Sequence, residues 1–153
     1  LSLNKKLLCH LGKATIAGQR VLLCIPTTYM NHSGQTLNAV SQYYKINTSQ
    51  MLIAHDELDL APGTLRLKKD GGHGGHNGLR DIMNHLHRRD FLRARIGIGH
   101  PGHSKQVSNY VLKSPTHTEE TDILESINKL IDHVPDIIEG NVQNAMKSLH
   151  TEG

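Results

Sequence analysis

Short apolar or β-branched runs at residues 6–9, 14–16 and 21–25, separated by Gly12-Lys13 and Ala17-Gly18-Gln19, predict strands joined by hairpins. After Pro26, Ser33 is a candidate helix N-cap, and Leu37, Val40 and Tyr44 follow at helical spacing, with the helix ending near Asn47. Residues 51–54 form a continuous apolar run ending in His55-Asp56-Glu57, the pattern of a buried strand that delivers polar groups to its end. Ala61-Pro62-Gly63 is a turn. Beyond it Leu65 and Leu67 alternate with Arg66 and Lys68, predicting a strand with one wet, basic face. A glycine-rich stretch over 70–78 opens onto Leu79, Ile82, Met83 and Leu86 at helical spacing. Residues 91–99 read as another strand, with Arg93 and Arg95 on one face. Thr116 and Glu119 have capping-box spacing ahead of Ile123, Leu124, Ile127, Leu130, Ile131 and Val134, an amphipathic helix. Pro135 and Gly140 punctuate the C-terminal stretch, and Val142, Ala145, Met146 and Leu149 mark a last helix. Strands interleaved with helices predict an α/β layer architecture, a mixed twisted β-sheet covered by helices. With 153 residues, no internal repeat and no linker, the expectation is one domain over 1–153.

Composition narrows the class. No apolar run approaches the ~20 residues of a membrane helix, and the first residues carry no signal-peptide pattern, so a cytoplasmic protein without membrane contact is expected. Cys9 and Cys24 lie in apolar runs and are expected as reduced, structural thiols. The formal charge of +3 permits a polyanionic partner. Aromatic residues make up only 3% and Trp is absent, which disfavours a surface that stacks many bases; if nucleic acid binds, phosphate contacts should dominate.

Three constellations can carry chemistry. Gly71, Gly72, Gly74 and Gly75 allow positive φ and close backbone approach ahead of a helix N-terminus, where a phosphate or carboxylate could sit; a tight strand-to-helix connection explains them equally well. The stretch matches neither a P-loop nor a dinucleotide fingerprint. His73-x-x-His76 with His55, Asp56 and Glu57 can be drawn as a metal site, but it lacks zinc-ligand spacing, and chance pairing is the stronger reading in a chain with 12 His. Third, Asn31, Asp56 and Asn77 stand at element ends, where α/β sheets gather ligands. Their ordinary reading is two helix N-caps and an Asx-turn.

The runs Pro26-Thr27-Thr28-Tyr29-Met30-Asn31-His32-Ser33-Gly34, His55-Asp56-Glu57-Leu58-Asp59, Gly71-Gly72-His73-Gly74-Gly75-His76-Asn77-Gly78-Leu79-Arg80-Asp81 and Arg95-Ile96-Gly97-Ile98-Gly99-His100-Pro101 together resemble bacterial peptidyl-tRNA hydrolase, in order and across nearly the whole chain. The resemblance implies a monomeric α/β enzyme that uses no metal or cofactor and needs no obligate protein partner. Its activity would be cleavage of the ester between a peptide, or N-blocked aminoacyl group, and the 3′ ribose of tRNA. The alternatives are a noncatalytic RNA-binding member of the same fold, like organellar intron-splicing relatives, and, third, a metal hydrolase.

Carried over by motif, Asp56 resembles the carboxylate that accepts a hydrogen bond from the catalytic histidine and stabilises its imidazolium. Asn31 would hold the peptide backbone and the attacking water. Asn77 would place substrate or polarise the ester carbonyl, and Tyr29, Met30 and His76 would complete the substrate-binding set. Arg66, Lys68, Lys69, Arg95 and Lys105 are the candidates for tRNA phosphates. The family's Gly-Asn-Pro-Gly turn and its Arg-His-Asn motif, whose histidine is the general base, do not occur in the 153 residues. The expectation is therefore an N-terminally incomplete domain that by itself hydrolyses slowly or not at all.

Overall fold

The computed structural model describes residues 1–27, 32–99 and 115–152, with backbone alone at 151 and 152. Among the described residues, the strands and α-helices run in order: β1 (Ser2–Asn4), β2 (Cys9–Ile16), β3 (Gln19–Pro26), α1 (Ser33–Tyr44), β4 (Leu52–Glu57), β5 (Leu65–Lys69), α2 (Asn77–Leu86), β6 (Leu92–Gly97), α3 (His117–Ile138) and α4 (Val142–Glu152). They form two compact units. One comprises Leu1–Leu52 with Lys69–Leu92, the other Ile53–Lys68 with Arg93–Gly153. The α/β class and a mixed sheet are as expected, and the described strands fall into two three-stranded ladders.

In the first unit, β1, β2 and β3 are antiparallel in that order. Ala17 and Gly18 close the β2–β3 hairpin at φ 50° and 76°, the left-handed pair that suits a two-residue turn. The expected break at Gly12-Lys13 is absent. Gly12 sits inside β2, where a Cβ would stand 2.5 Å from Leu1 Cδ2, so the glycine admits a crossing side chain instead of turning the strand. The 6–9 run is not a strand either; β2 begins at Cys9, after Leu8 has taken φ 58°. One sheet face carries Cys9, Leu11 and Cys24 against Ala39, Val40 and Tyr44 of α1. Both cysteines are free thiols, and burial together with neighbouring Cys9 pushes Cys24 up to about 12, so Cys24 is not set up as a nucleophile. The opposite face leaves Leu3, Leu23 and Ile25 exposed.

Helix α1 departs from the expected outline. It ends at Tyr44, with Lys45 left-handed at φ 55°, because a separate 3₁₀ turn at Thr48–Gln50, closed by a capping box with Asn47, follows. Its N-cap is His32, and Ser33 is instead a buried first helical residue. The buried side of α1 is built mainly from small groups: Ser33, Gly34, Thr36 and Ser41 with Val40. Helix α2 buries Leu79 and Ile82, as its spacing predicts.

The second ladder has the order β4-β6-β5 and lies in the second unit except for the end residues Leu52, Lys69 and Leu92. Bonds from Leu92 N to Met51 O and from Ile98 N to Glu57 O advance together along both strands, so β4 and β6 are parallel. The bond from Gly97 N to Thr64 O joins the end of β6 to the start of β5, which makes that pair antiparallel. The expectation of a fully buried β4 is corrected: among the described strands it lies at a ladder edge, and Leu52 and Ala54 are exposed while His55 is buried. Strand β5 follows its alternation, with Leu65 and Leu67 buried. In β6, Gly97 permits close approach, since a Cβ there would stand 2.2 Å from Ala61 O. Thr116 and Glu119 form the expected capping box on α3. Pro135, read as punctuation, lies inside α3, which runs on to Ile138. Ala145 and Leu149 are buried on α4 as expected.

Candidate active site

The glycine loop and the start of α2 show how local chemistry exposes a functional group. Asp70, Gly71, Gly74 and Gly75 take positive φ, and a Cβ on Gly72, Gly74 or Gly75 would meet nothing within 4 Å. The glycines at 71, 74 and 75 therefore serve backbone curvature. Within the loop the Gly75 amide donates to His73 Nδ1 at 3.0 Å. At its end His76, not Asn77, caps α2: its Nδ1 accepts the Leu79 amide at 3.2 Å. The reading of Asn77 as an N-cap is thus corrected. An imidazole with Nδ1 spent as acceptor carries its hydrogen on Nε2, and His76 is half-buried. Asn77 is the first helical residue and is exposed, with its carboxamide released from capping duty.

In the first unit, α2 also meets α1. The Gly34 amide donates to Asp81 Oδ2 at 2.7 Å, and a Cβ on Gly34 would stand 2.2 Å from the Asp81 carbonyl oxygen. His85 Nδ1 donates to that same carbonyl at 2.9 Å and lies 3.3 Å from Asp81 Oδ1. Neither Gly34 nor Asp81 is large and apolar, and their pairing was not foreseen although both lie in the motif runs.

In the second unit, Asp56 is half-buried at the penultimate position of β4. His55, the buried residue before it, donates from Nδ1 to the Asp56 carbonyl at 2.8 Å. Glu57 accepts from Arg95 Nε at 2.8 Å and from the Asp59 amide at 3.3 Å. Burial raises the Glu57 carboxyl, but Arg95, the Asp59 amide and nearby His55 outweigh it and hold the group below the ordinary 4.5. The side chain after Asp56 is therefore a compensated ion pair.

The tRNA candidates differ in their surroundings. Lys68 and Lys69 are exposed. Arg66 is half-buried and donates from a terminal nitrogen to the Leu65 carbonyl at 3.0 Å. Arg95 is engaged by Glu57, and Arg93 is only 2% exposed, so the basic face expected of β6 is not a wet one. Tyr29, Met30, Asn31 and Lys105 lie outside the described residues. Among the described residues, no group of three or more His, Cys, Asp or Glu is placed to hold a metal ion, and no helix is long and apolar enough to cross a membrane.

The sequence profile of the family Peptidyl-tRNA hydrolase matches residues 1–153. A peptidyl-tRNA hydrolase of Marinomonas sp. (strain MWYL1) is 51% identical over 149 residues, covering 97% of this chain and 77% of its own. One from Francisella tularensis subsp. holarctica is 50% identical over 151 residues, with coverages of 99% and 79%. The crystal structure of peptidyl-tRNA hydrolase from Acinetobacter baumannii superposes with a TM-score of 0.95 at 44% identity, covering 97% of this chain and 76% of that one. On matches of this extent, the chain belongs to the peptidyl-tRNA hydrolase family.

Proposed function

We propose that the chain hydrolyses the ester between a peptide, or N-blocked aminoacyl group, and the 3′ ribose of tRNA. The observation that carries this reading beyond family membership is at the head of α2: His76 does the capping, leaving the exposed Asn77 carboxamide to meet an ester carbonyl. A carboxamide N–H aimed where negative charge develops stabilises the tetrahedral intermediate by hydrogen bonding. Asp56 is assigned as the acceptor that orients the base histidine and stabilises its imidazolium, as in the resemblance. Asn31 is assigned to the peptide backbone and the attacking water, with Tyr29, Met30 and His76 in the substrate set. An ester with a ribose leaving group needs a positioned base and oxyanion donors, and the chemistry assigned to these residues is complete without a metal or other cofactor.

Lys68, Lys69 and Lys105, with Arg66, are assigned to tRNA phosphates, the two lysines of β5 leading on exposure, while Arg95 is held by Glu57. The working protein is taken to be cytoplasmic and monomeric, with the family domain over 1–153 and no obligate protein partner. The test is cleavage of N-acetyl-aminoacyl-tRNA by the protein, with and without a chelator. Cleavage is expected to persist with the chelator present. Binding of tRNA without cleavage would replace this reading with the RNA-binding one, and loss of cleavage to the chelator would restore a metal.

A further inference from the structure

We propose that Asp81 is a positioning residue for the reaction: by gripping the first turn of α1, it sets where α2 presents Asn77 and His76. This rests on the hydrolase reading above. Asn77 and Asp81 are four residues apart in α2 and so share one helix face, with Asn77 one turn nearer the N-terminus. Asp81 directs that face at α1. Its Oδ2 accepts the Gly34 amide at 2.7 Å, and Gly34 is the second helical residue of α1, whose amide has no partner within its own helix. Nor does α1 have a side-chain cap of its own, since His32 makes no capping bond. The carboxylate of one helix thus completes the N-terminus of the other, where the helix dipole favours a negative charge.

Two further features make the junction short and stiff. The absence of a Cβ on Gly34 lets the Asp81 carbonyl come close, because a methyl group there would stand 2.2 Å from that oxygen and 2.8 Å from His85 Nδ1. His85, one turn on, donates to the Asp81 carbonyl and lies beside its carboxylate, bracing the residue at the same junction. Rotation or sliding of α2 along α1 would break the Gly34 bond first.

The experiment compares Asp81→Ala, Asp81→Asn and Gly34→Ala with the unsubstituted protein and with Asn77→Ala. The readouts are kcat and KM on N-acetyl-aminoacyl-tRNA, the Kd for an N-acetyl-aminoacyl-adenosine carrying a 3′-amide in place of the ester, and thermal melting. Misplacement of a reacting group by ~1 Å costs up to ~10²-fold, so Asp81→Ala is expected to lower kcat about tenfold and to weaken the amide analogue, while KM for the tRNA substrate changes by less than about threefold. Asp81→Asn should recover most of the loss, because the amide oxygen still accepts the Gly34 N–H; a residue that mattered only through its charge would not be rescued. Gly34→Ala should reproduce the loss with the carboxylate intact, which keeps the test decisive if Asp81→Ala melts below the assay temperature. Wild-type kcat and analogue affinity in a folded Asp81→Ala, or equal losses in Asp81→Ala and Asp81→Asn, would overturn the proposal while leaving the hydrolase reading in place. If the unsubstituted protein neither cleaves the ester nor binds the amide, or if Asn77→Ala changes nothing, the hydrolase reading falls and takes this one with it.

Discussion

At the scale of single residues, the division of labour between His76 and Asn77 shows why a motif has the composition it has. Asparagine is a stronger N-cap than histidine, and at residue 76 it would cap α2 at least as well. A histidine there satisfies the Leu79 amide through Nδ1 with its ring hydrogen on Nε2, a donor that a carboxylate or hydroxyl cap in the same place would not supply in the same direction. Asn77, freed of capping, can then work on substrate. Asp56 has a comparable setting, because the neighbouring Glu57 carboxylate is neutralised by Arg95 and does not add a second uncompensated charge beside it. Asp56→Asn is therefore expected to lower kcat by ~10²-fold or more with KM little changed, since in the proposed role its carboxylate would act on the charged transition state more than on bound substrate. Unchanged kcat would remove Asp56 from the mechanism.

At the scale of elements, two helix-end devices are open to direct test. The Thr116–Glu119 box ties both partners at the start of α3, with bonds of 3.2 Å from the Glu119 amide to Thr116 Oγ1 and 2.9 Å from the Thr116 amide to Glu119 Oε1. Thr116→Ala should cost about 1 kcal/mol, read as a lower melting temperature. The second device joins α4 to β5: the Leu67 amide donates to His150 Nε2 at 3.2 Å. Burial, and then the charge of Arg66, hold the His150 pKa below the ordinary 6.5. A histidine whose folded pKa is depressed binds fewer protons folded than unfolded, so its contribution is complete above 6.5 and is lost as pH falls from there through the folded value. Protonation also removes the acceptor that Leu67 uses. The melting temperature should therefore fall between pH 7.5 and 5.5, and His150→Gln, whose amide oxygen accepts at every pH, should flatten that part of the profile. An equal slope in the variant would show that other groups set it.

At the scale of the whole molecule, what the sequence made legible was whatever large apolar side chains and cap residues announce. The α3 box, the alternation of β5 and the apolar faces of α2 and α4 are read from spacing alone. The packing face of α1 was not, because Ser33, Gly34, Thr36 and Ser41 pack by being small, and a hydrophobic pattern is blind to them. The same blindness hid the Asp81 junction. It also made Gly12 read as a turn when its purpose is to admit Leu1. Among the candidate site residues, sequence placed Asp56 and Asn77 at element ends, where the structure also has them, but it could not tell which of two adjacent polar residues caps α2. Nor could it tell which basic residues remain open to a polyanion, since that depends on partners distant in sequence, such as Glu57 for Arg95.

That difference among the basic residues leads to a prediction about substrate size. Exposed Lys68 and Lys69 can meet a phosphate without giving up another bond, whereas Arg95 would have to leave or share Glu57. Phosphates of a tRNA body are remote from its 3′ ester, so contacts to them should raise affinity for tRNA and do nothing for a small N-blocked aminoacyl ester. Lys68→Ala with Lys69→Ala is expected to raise KM for peptidyl-tRNA, leave the small ester unaffected, and make the dependence of log affinity on log salt shallower by roughly 1 to 2, since each lost phosphate contact removes about 0.7–0.9 from the slope. Arg95→Ala should behave differently, slowing both substrates alike, because it releases Glu57 at the end of β4 beside Asp56. Equal behaviour of the lysine pair and Arg95 on the two substrates would mean that exposure does not decide which cations read the tRNA.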